Sequence, residues 1–186
     1  MLKNVLITAL FTMFLGGLSS CAFWTSGIGG KANEEEKNME TALSVGSLAP
    51  DFTLLDQNSL EQTLSSLKGQ YVLIYFYPKD DTPGCTMEAC SIRDNINKFK
   101  DFDVKVFGIS ADSPESHKKF IAKYDLPFDL LSDPKKKAVK AYDADGLFIK
   151  RISYLIGKEG EILKFYPNVN PSKHAGQILE DLAALK

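Results

Sequence analysis

Tyr71-Val72-Leu73-Ile74-Tyr75-Phe76-Tyr77 runs directly into Pro78-Lys79-Asp80-Asp81-Thr82-Pro83-Gly84-Cys85. The first part is apolar or aromatic throughout, which predicts a strand buried on both faces. The second part opens a helix. Thr82 suits the N-cap, and Pro83 suits the first helical position, where its missing N–H costs nothing. Working outward, residues 104–110 read as a second buried strand. Residues 152–156 and 162–165 flank Gly157-Lys158-Glu159-Gly160 and read as a hairpin. Helices are expected over residues 83–99 and 114–124, with shorter ones after Asp133-Pro134 and Pro171-Ser172. Asp133 and Ser172 are the expected caps of those two. Strands alternating with helices, then a hairpin and a last helix, imply an α/β sandwich over residues 46–186.

The balance of 22 basic against 24 acidic side chains leaves a formal charge of −2. No basic excess is available to hold a polyanion, so a nucleic-acid partner is not expected. No phosphate loop, cofactor-binding motif or metal-ligand spacing is present. The chemistry therefore rests on the cysteines, Cys21, Cys85 and Cys90.

Cys85 falls in the first turn of the helix opened by Thr82 and Pro83. Unpaired backbone N–H groups and the positive end of the helix dipole point near its sulfur. Both favour the thiolate, which is the nucleophilic form. The pattern Pro78-x-x-x-Thr82-x-x-Cys85, inside the longer string YPKDDTPGCTMEAC, resembles the active-site motif of the peroxiredoxins. The likeness is to the bacterioferritin comigratory protein, or peroxiredoxin Q, branch. It extends from Val45 to the C-terminus through Gly46-Ser47-Leu48-Ala49-Pro50-Asp51-Phe52, Asp112-Ser113-Pro114-Glu115-Ser116-His117 and Leu126-Pro127-Phe128.

This resemblance implies a thioredoxin-like fold, with a central mixed sheet flanked by helices. It also implies a thiol-dependent peroxidase acting on hydrogen peroxide and organic hydroperoxides. Cys85 would attack the peroxide and become a sulfenic acid. Thr82 would hydrogen-bond the sulfur and the peroxide, and Pro78 would shape the pocket. Arg151 matches the family's arginine and would stabilise both the thiolate and charge moving onto oxygen. Arg93 lies ~12 Å of helical rise from Cys85 and reads as a supporting residue. Glu88 shares the active-site helix and is read either as an organiser of it or as an exposed side chain.

Cys90 follows Cys85 by five residues. On one helix their Cα atoms would be ~7.5 Å apart along the axis, with side chains ~140° apart. A disulfide needs Cα atoms within ~7 Å and converging Cβ vectors. Either one cysteine leaves the helix or its first turns unwind. The resemblance favours unwinding, with Cys90 resolving the sulfenic acid to an intramolecular disulfide. A thioredoxin-like protein would then be the reductant. Such a bond needs no partner subunit, so a monomer is expected.

Two rival readings use the same residues. A copper carrier could draw on Cys85, Cys90 and His174, since Cu(I) favours thiolates. A thiol–disulfide exchanger would normally carry Cys-x-x-Cys, which this chain lacks. Neither accounts for the Pro78–Thr82 frame. Otherwise His117 reads as a helix-surface residue and His174 as part of the terminal helix.

The N-terminus reads as an address. Lys3 supplies a positive start, and residues 5–18 form an uncharged apolar run, shorter than the ~20 residues a spanning helix needs. The run ends in Leu18-Ser19-Ser20-Cys21, which resembles the lipobox of bacterial lipoproteins. Residues 1–20 are then a signal peptide, and Cys21 is the lipidated residue and has no redox role. Residues 21–45, with Gly27, Gly29, Gly30 and an acidic cluster at 34–36, read as a flexible tether. Trp24 could rest at the membrane interface. Ala22 after the cysteine favours the periplasmic face of the outer membrane in a Gram-negative cell. Cys21→Ser should release the protein from the membrane pellet into the soluble fraction. Unchanged retention would remove the anchor.

Overall fold

The computed structural model describes residues 43–185. The signal peptide, Cys21, Trp24 and nearly all of the tether lie outside them. Among the described residues, seven strands form one sheet in the order β2-β1-β5-β4-β3-β6-β7. These are β1 (Thr53–Asp56), β2 (Glu61–Thr63), β3 (Tyr71–Phe76), β4 (Val104–Ser110), β5 (Asp129–Ser132), β6 (Ile152–Ile156) and β7 (Ile162–Tyr166). The helices are α1 (Pro83–Asp94), α2 (Ile96–Asp101), α3 (Pro114–Tyr124), α4 (Lys137–Ala141) and α5 (His174–Ala184). β3 pairs parallel with β4 and antiparallel with β6, so the sheet is mixed, as the resemblance implied.

β3 is buried on both faces because each face has its own core. Leu73, Tyr75 and Tyr77 join one cluster with Ala89 and Ile92 of α1, Phe120 of α3, and Ile178 and Leu182 of α5. Val72, Ile74 and Phe76 join the other, with Phe107, Ile109, Val139 and Tyr142. The two-residue alternation of side chains along a strand divides one apolar run between two layers. The β6–β7 hairpin was expected and is present.

Several local expectations are corrected. The long helix over 83–99 is two helices broken at Asn95. Asn95 leaves helical geometry (φ −108°, ψ 8°), and its Nδ2 donates to Ser91 O at 3.0 Å. A short polar side chain here offers the backbone an alternative to continuing the helix. β1, β2 and β5 were not anticipated. They are three or four residues long, and β1 and β2 carry polar residues on exposed positions, so the apolar signal is weak. Ser172 does not cap α5, which begins at His174 after Lys173. Asn170 organises that turn, accepting from the Ser172 N–H through Oδ1 and from the Lys173 and His174 N–H groups through its carbonyl. Asp133 does serve α4, accepting from the N–H groups of Lys137 and Val139, each at 2.9 Å. His117 is not a surface residue. Its side chain is fully buried, turned inward from α3.

Gly108 of β4 stands opposite Tyr75 of β3. A Cβ there would lie 2.6 Å from the Tyr75 ring carbon and hydroxyl, and 2.7 Å from Leu130 Cδ2. The missing side chain is the space the tyrosine occupies. Gly108→Ala should therefore cost about 1–3 kcal/mol, as overpacking of a tight core does. The measurement is the urea midpoint, and an unchanged midpoint would show that Tyr75 has room to move.

Candidate active site

β3 ends by passing Tyr77 into the Pro78–Thr82 loop, and α1 starts immediately after. Cys85 sits in the first turn of α1 and is 1% exposed. β6 runs antiparallel to β3 with Phe76 opposite Ile152. One residue further out, Arg151 is thereby brought beside the loop and the helix start. Its Nη2 lies 3.2 Å from Cys85 Sγ across 66 residues of sequence. Its Nη1 pairs with the carboxylate of Glu88, one turn further along α1. A single guanidinium therefore grips the sulfur and the helix that carries it, using the fork of donors that distinguishes arginine from lysine.

The fit at position 84 is tight, because a Cβ there would meet Nη2 of Arg151 at 3.1 Å and push the guanidinium by a few tenths of an ångström. Gly84 is thus the opening through which the guanidinium reaches the sulfur. Glu88 is fully buried, which settles the alternative left by the sequence in favour of an organising role. Burial pushes its carboxyl up to about 7, against the pull of Arg151. Burial also works against the charge of Arg151, but Cys85 and Glu88 outweigh it and hold the guanidinium protonated. Tyr75 lies behind the site. Burial, followed by the nearby Glu88, Asp80 and Cys85, raises its hydroxyl well above the ordinary value.

Thr82 holds the N-cap position, but its hydroxyl makes no cap bond. It donates to Lys79 O at 3.1 Å. The oxygen's lone pairs stay available to a proton donor entering the pocket. Pro78 is half-buried at the exit of β3. A wide cleft of about 820 Å³, lined by Lys150, Arg151, Asn168 and Val169 among others, opens beside the guanidinium.

Cys90 is a free, half-buried thiol on the same intact helix as Cys85. The helical form therefore holds the two sulfurs apart, as the spacing required. Arg93 serves elsewhere, bonding Asp94 and the carbonyl of Tyr124. His174 does not meet the cysteines in a metal site. Its Nε2 lies 2.8 Å from Ser153 Oγ, and burial, then Arg151, lowers its pKa to about 4. Among the described residues, no group of three or more His, Cys, Asp or Glu side chains could hold a metal ion. The copper-carrier reading loses its ligand set there.

The sequence reading missed the buried polar network under the loop, in which Asp80 meets Tyr77, Ser116 and His117. The sequence singles out Asp80 only as part of a matching string, and His117 reads from it as a helix-surface residue. Nothing in a single sequence pairs residues 37 apart.

Residues 45–165 match the family model described as AhpC/TSA family. Peroxiredoxin Q, chloroplastic, from Oryza sativa subsp. japonica is 45% identical over 148 residues, covering 77% of this chain and 68% of that protein. Peroxiredoxin Bcp from Bacillus subtilis is 39% identical over 149 residues, covering 75% and 95%. Among solved structures, a mutant of PrxQ from Xylella fastidiosa superposes with a TM-score of 0.74 at 30% identity, covering 78% of this chain and 98% of that one. The Xanthomonas campestris bacterioferritin comigratory protein gives 0.73 at 30% identity, covering 78% and 99%. With its thioredoxin-like sheet and a cysteine at the head of α1, this chain belongs to the AhpC/TSA family, in the peroxiredoxin Q/Bcp branch.

Proposed function

We propose that this chain is a thiol-dependent peroxidase in which Cys85 is the peroxide-attacking residue and Cys90 the resolving one. The observation that carries the assignment is the 3.2 Å contact between the Arg151 guanidinium and a sulfur at a helix N-terminus. The cation and the helix end both set positive potential beside the attacking atom.

In the first step the thiolate attacks the terminal oxygen of ROOH. The S–O bond forms, the O–O bond breaks, and RO⁻ leaves to take up a proton from water. Arg151 can follow the charge from sulfur to oxygen, because its donors already point into the site. Thr82, with free lone pairs, can accept the peroxide O–H and orient it. In the second step the Cys90 thiol displaces water from the sulfenic acid to give the disulfide. An external dithiol, of the thioredoxin-like kind, then returns both thiols and is itself oxidised. The substrate class includes hydrogen peroxide and organic hydroperoxides. The work on the Xanthomonas campestris relative describes alkyl peroxide reduction activity for that protein.

The same reading places the enzyme on an envelope membrane through a lipid on Cys21, supported by Lys3, the apolar run at 5–18 and Leu18-Ser19-Ser20-Cys21. Among the described residues, no helix is long and apolar enough to cross a membrane. The reductant would then be a thioredoxin-like domain on the same side of that membrane, and the enzyme would act as a monomer.

Turnover of hydrogen peroxide should vanish in Cys85→Ser. Arg151→Ala should lower the rate of Cys85 oxidation by roughly 10²–10³, the usual cost of removing a preorganised donor. Without added reductant, Cys90→Ser should still consume one equivalent of peroxide but stop at sulfenic acid, with no disulfide formed. Peroxide consumption that survives Cys85→Ser would sink the assignment.

Glu88 gives a pH dependence. Its carboxyl titrates near 7 in the helix, against 4.5 when unwound. The helical state therefore binds the proton more tightly. That contribution is complete below about 4.5 and fades as pH rises through 7. Disulfide formation from a preformed sulfenic acid, which needs the unwound helix, should accelerate over that window. Glu88→Gln should flatten the profile, and a profile equally steep in the variant would assign the effect to another group.

A further inference from the structure

The loop ahead of Cys85 is secured by a set of bonds that the peroxide chemistry does not use. The Asp80 carboxylate is 7% exposed and accepts three side-chain donors. Tyr77 Oη donates to Oδ1 at 2.7 Å, while Ser116 Oγ and His117 Nδ1 donate to Oδ2 at 2.7 and 2.9 Å. The Asp80 N–H donates to Asp112 Oδ2 at 2.8 Å, and that carboxylate also takes the Ser110 hydroxyl at 2.9 Å. Next to it, Asp81 takes two bonds from Lys123 Nζ and one from Tyr124 Oη. Every one of these partners lies just after β3, at the end of β4 or in the turn that follows it, or on α3. None lies on α1.

The other end of α1 is delimited as well, by the break at Asn95. Forming the disulfide requires the sulfurs of Cys85 and Cys90 to meet, and the helix must open for that. Two movements could achieve it. The loop could swing and carry Cys85 toward Cys90, or the loop could stay while α1 unravels and Cys90 travels. The first breaks several buried, charge-assisted hydrogen bonds, which are the costly kind to leave unmade. The second gives up the Glu88–Arg151 pair and helix bonds next to a thiol that is already half-buried.

We infer that Asp80 is a positioning residue for the reaction: clamped by Tyr77, Ser116 and His117, it holds the Pro78–Thr82 loop still, so that Cys90 moves to Cys85. The inference rests on the resolving role given to Cys90 above. The loop then keeps Thr82 and Pro78 in register with Arg151 through the whole cycle. When the reductant releases the disulfide, α1 rewinds from an N-terminal stub that never moved.

Hydrogen–deuterium exchange on the wild-type protein, reduced and then oxidised with one equivalent of hydrogen peroxide, tests this directly. Peptides within 84–94 should exchange at least about tenfold faster after oxidation, while the amides of 77–82 keep their protection. Equal loss of protection in both segments would overturn the inference. Intact mass is read in parallel. If no Cys85–Cys90 disulfide forms, the resolving role fails and this inference goes with it, a result distinct from a disulfide with a loosened loop.

A variant arm separates positioning from stability. Asp80→Asn should slow Cys85 oxidation about tenfold or more, since small misplacements of reacting groups are expensive. It should leave the sulfenic-acid-to-disulfide step unchanged or faster. Asp56→Asn removes another buried carboxylate, 3% exposed, at the end of β1, where it holds the turn to β2, and controls for lost stability. Equal slowing of both steps in Asp80→Asn, or the same pattern in Asp56→Asn, would reduce Asp80 to a structural residue.

Discussion

Arg151 is the point on which this site turns. Its guanidinium satisfies a buried carboxylate with one nitrogen and a buried sulfur with the other. The Glu88 carboxylate would be poorly tolerated alone in the apolar layer around it, because an unpaired buried charge is strongly destabilising. Burial raises the Glu88 carboxyl to about 7, so the charge of its pair with Arg151 is finely balanced near neutrality. The interaction is therefore as much a folding constraint on α1 as a device for activating a nucleophile.

The sheet exists, in functional terms, to make that meeting reproducible. The antiparallel pairing of β3 with β6 sets the register that delivers Arg151 to the end of β3. The parallel pairing of β3 with β4 brings Ser110 and Asp112 beneath the loop. Both neighbours of β3 thus contribute to the same corner. The aromatic packing of Tyr75 against Tyr77, with ring centroids 5.5 Å apart, stiffens the strand that supports it.

Much of this was legible from residue order, for identifiable reasons. Apolar runs rich in β-branched and aromatic residues, such as 71–77 and 104–110, read as buried strands, and Thr82-Pro83 is a strong helix opening. The short strands escaped because three or four residues are too few to carry a periodic signal. The helix break at Asn95 escaped because it depends on one side-chain bond to Ser91, not on a proline or glycine. At the site, Cys85, Cys90, Thr82, Pro78 and Arg151 were named through a motif and a resemblance, and the structure brings Cys85, Arg151 and Glu88 into contact. Glu88 could be read either way, since a helical glutamate is usually exposed and only the tertiary partner decides. His117 was misplaced for the same reason, because its carboxylate partner lies in a distant loop.

The near-complete burial of Cys85 orders the chemistry in time. A peroxide is small enough to slip past the rim of the pocket, but the thiolate of a folded reductase is mounted on a protein surface and cannot reach a sulfur with 1% of its residue area exposed. The oxidant can thus be served by the wound helix and the reductant only by the unravelled one. The two substrates then never compete for one conformation. Electrons pass through the enzyme in strict alternation, and a reduced active site is shielded from wasteful exchange with other thiols and disulfides around it.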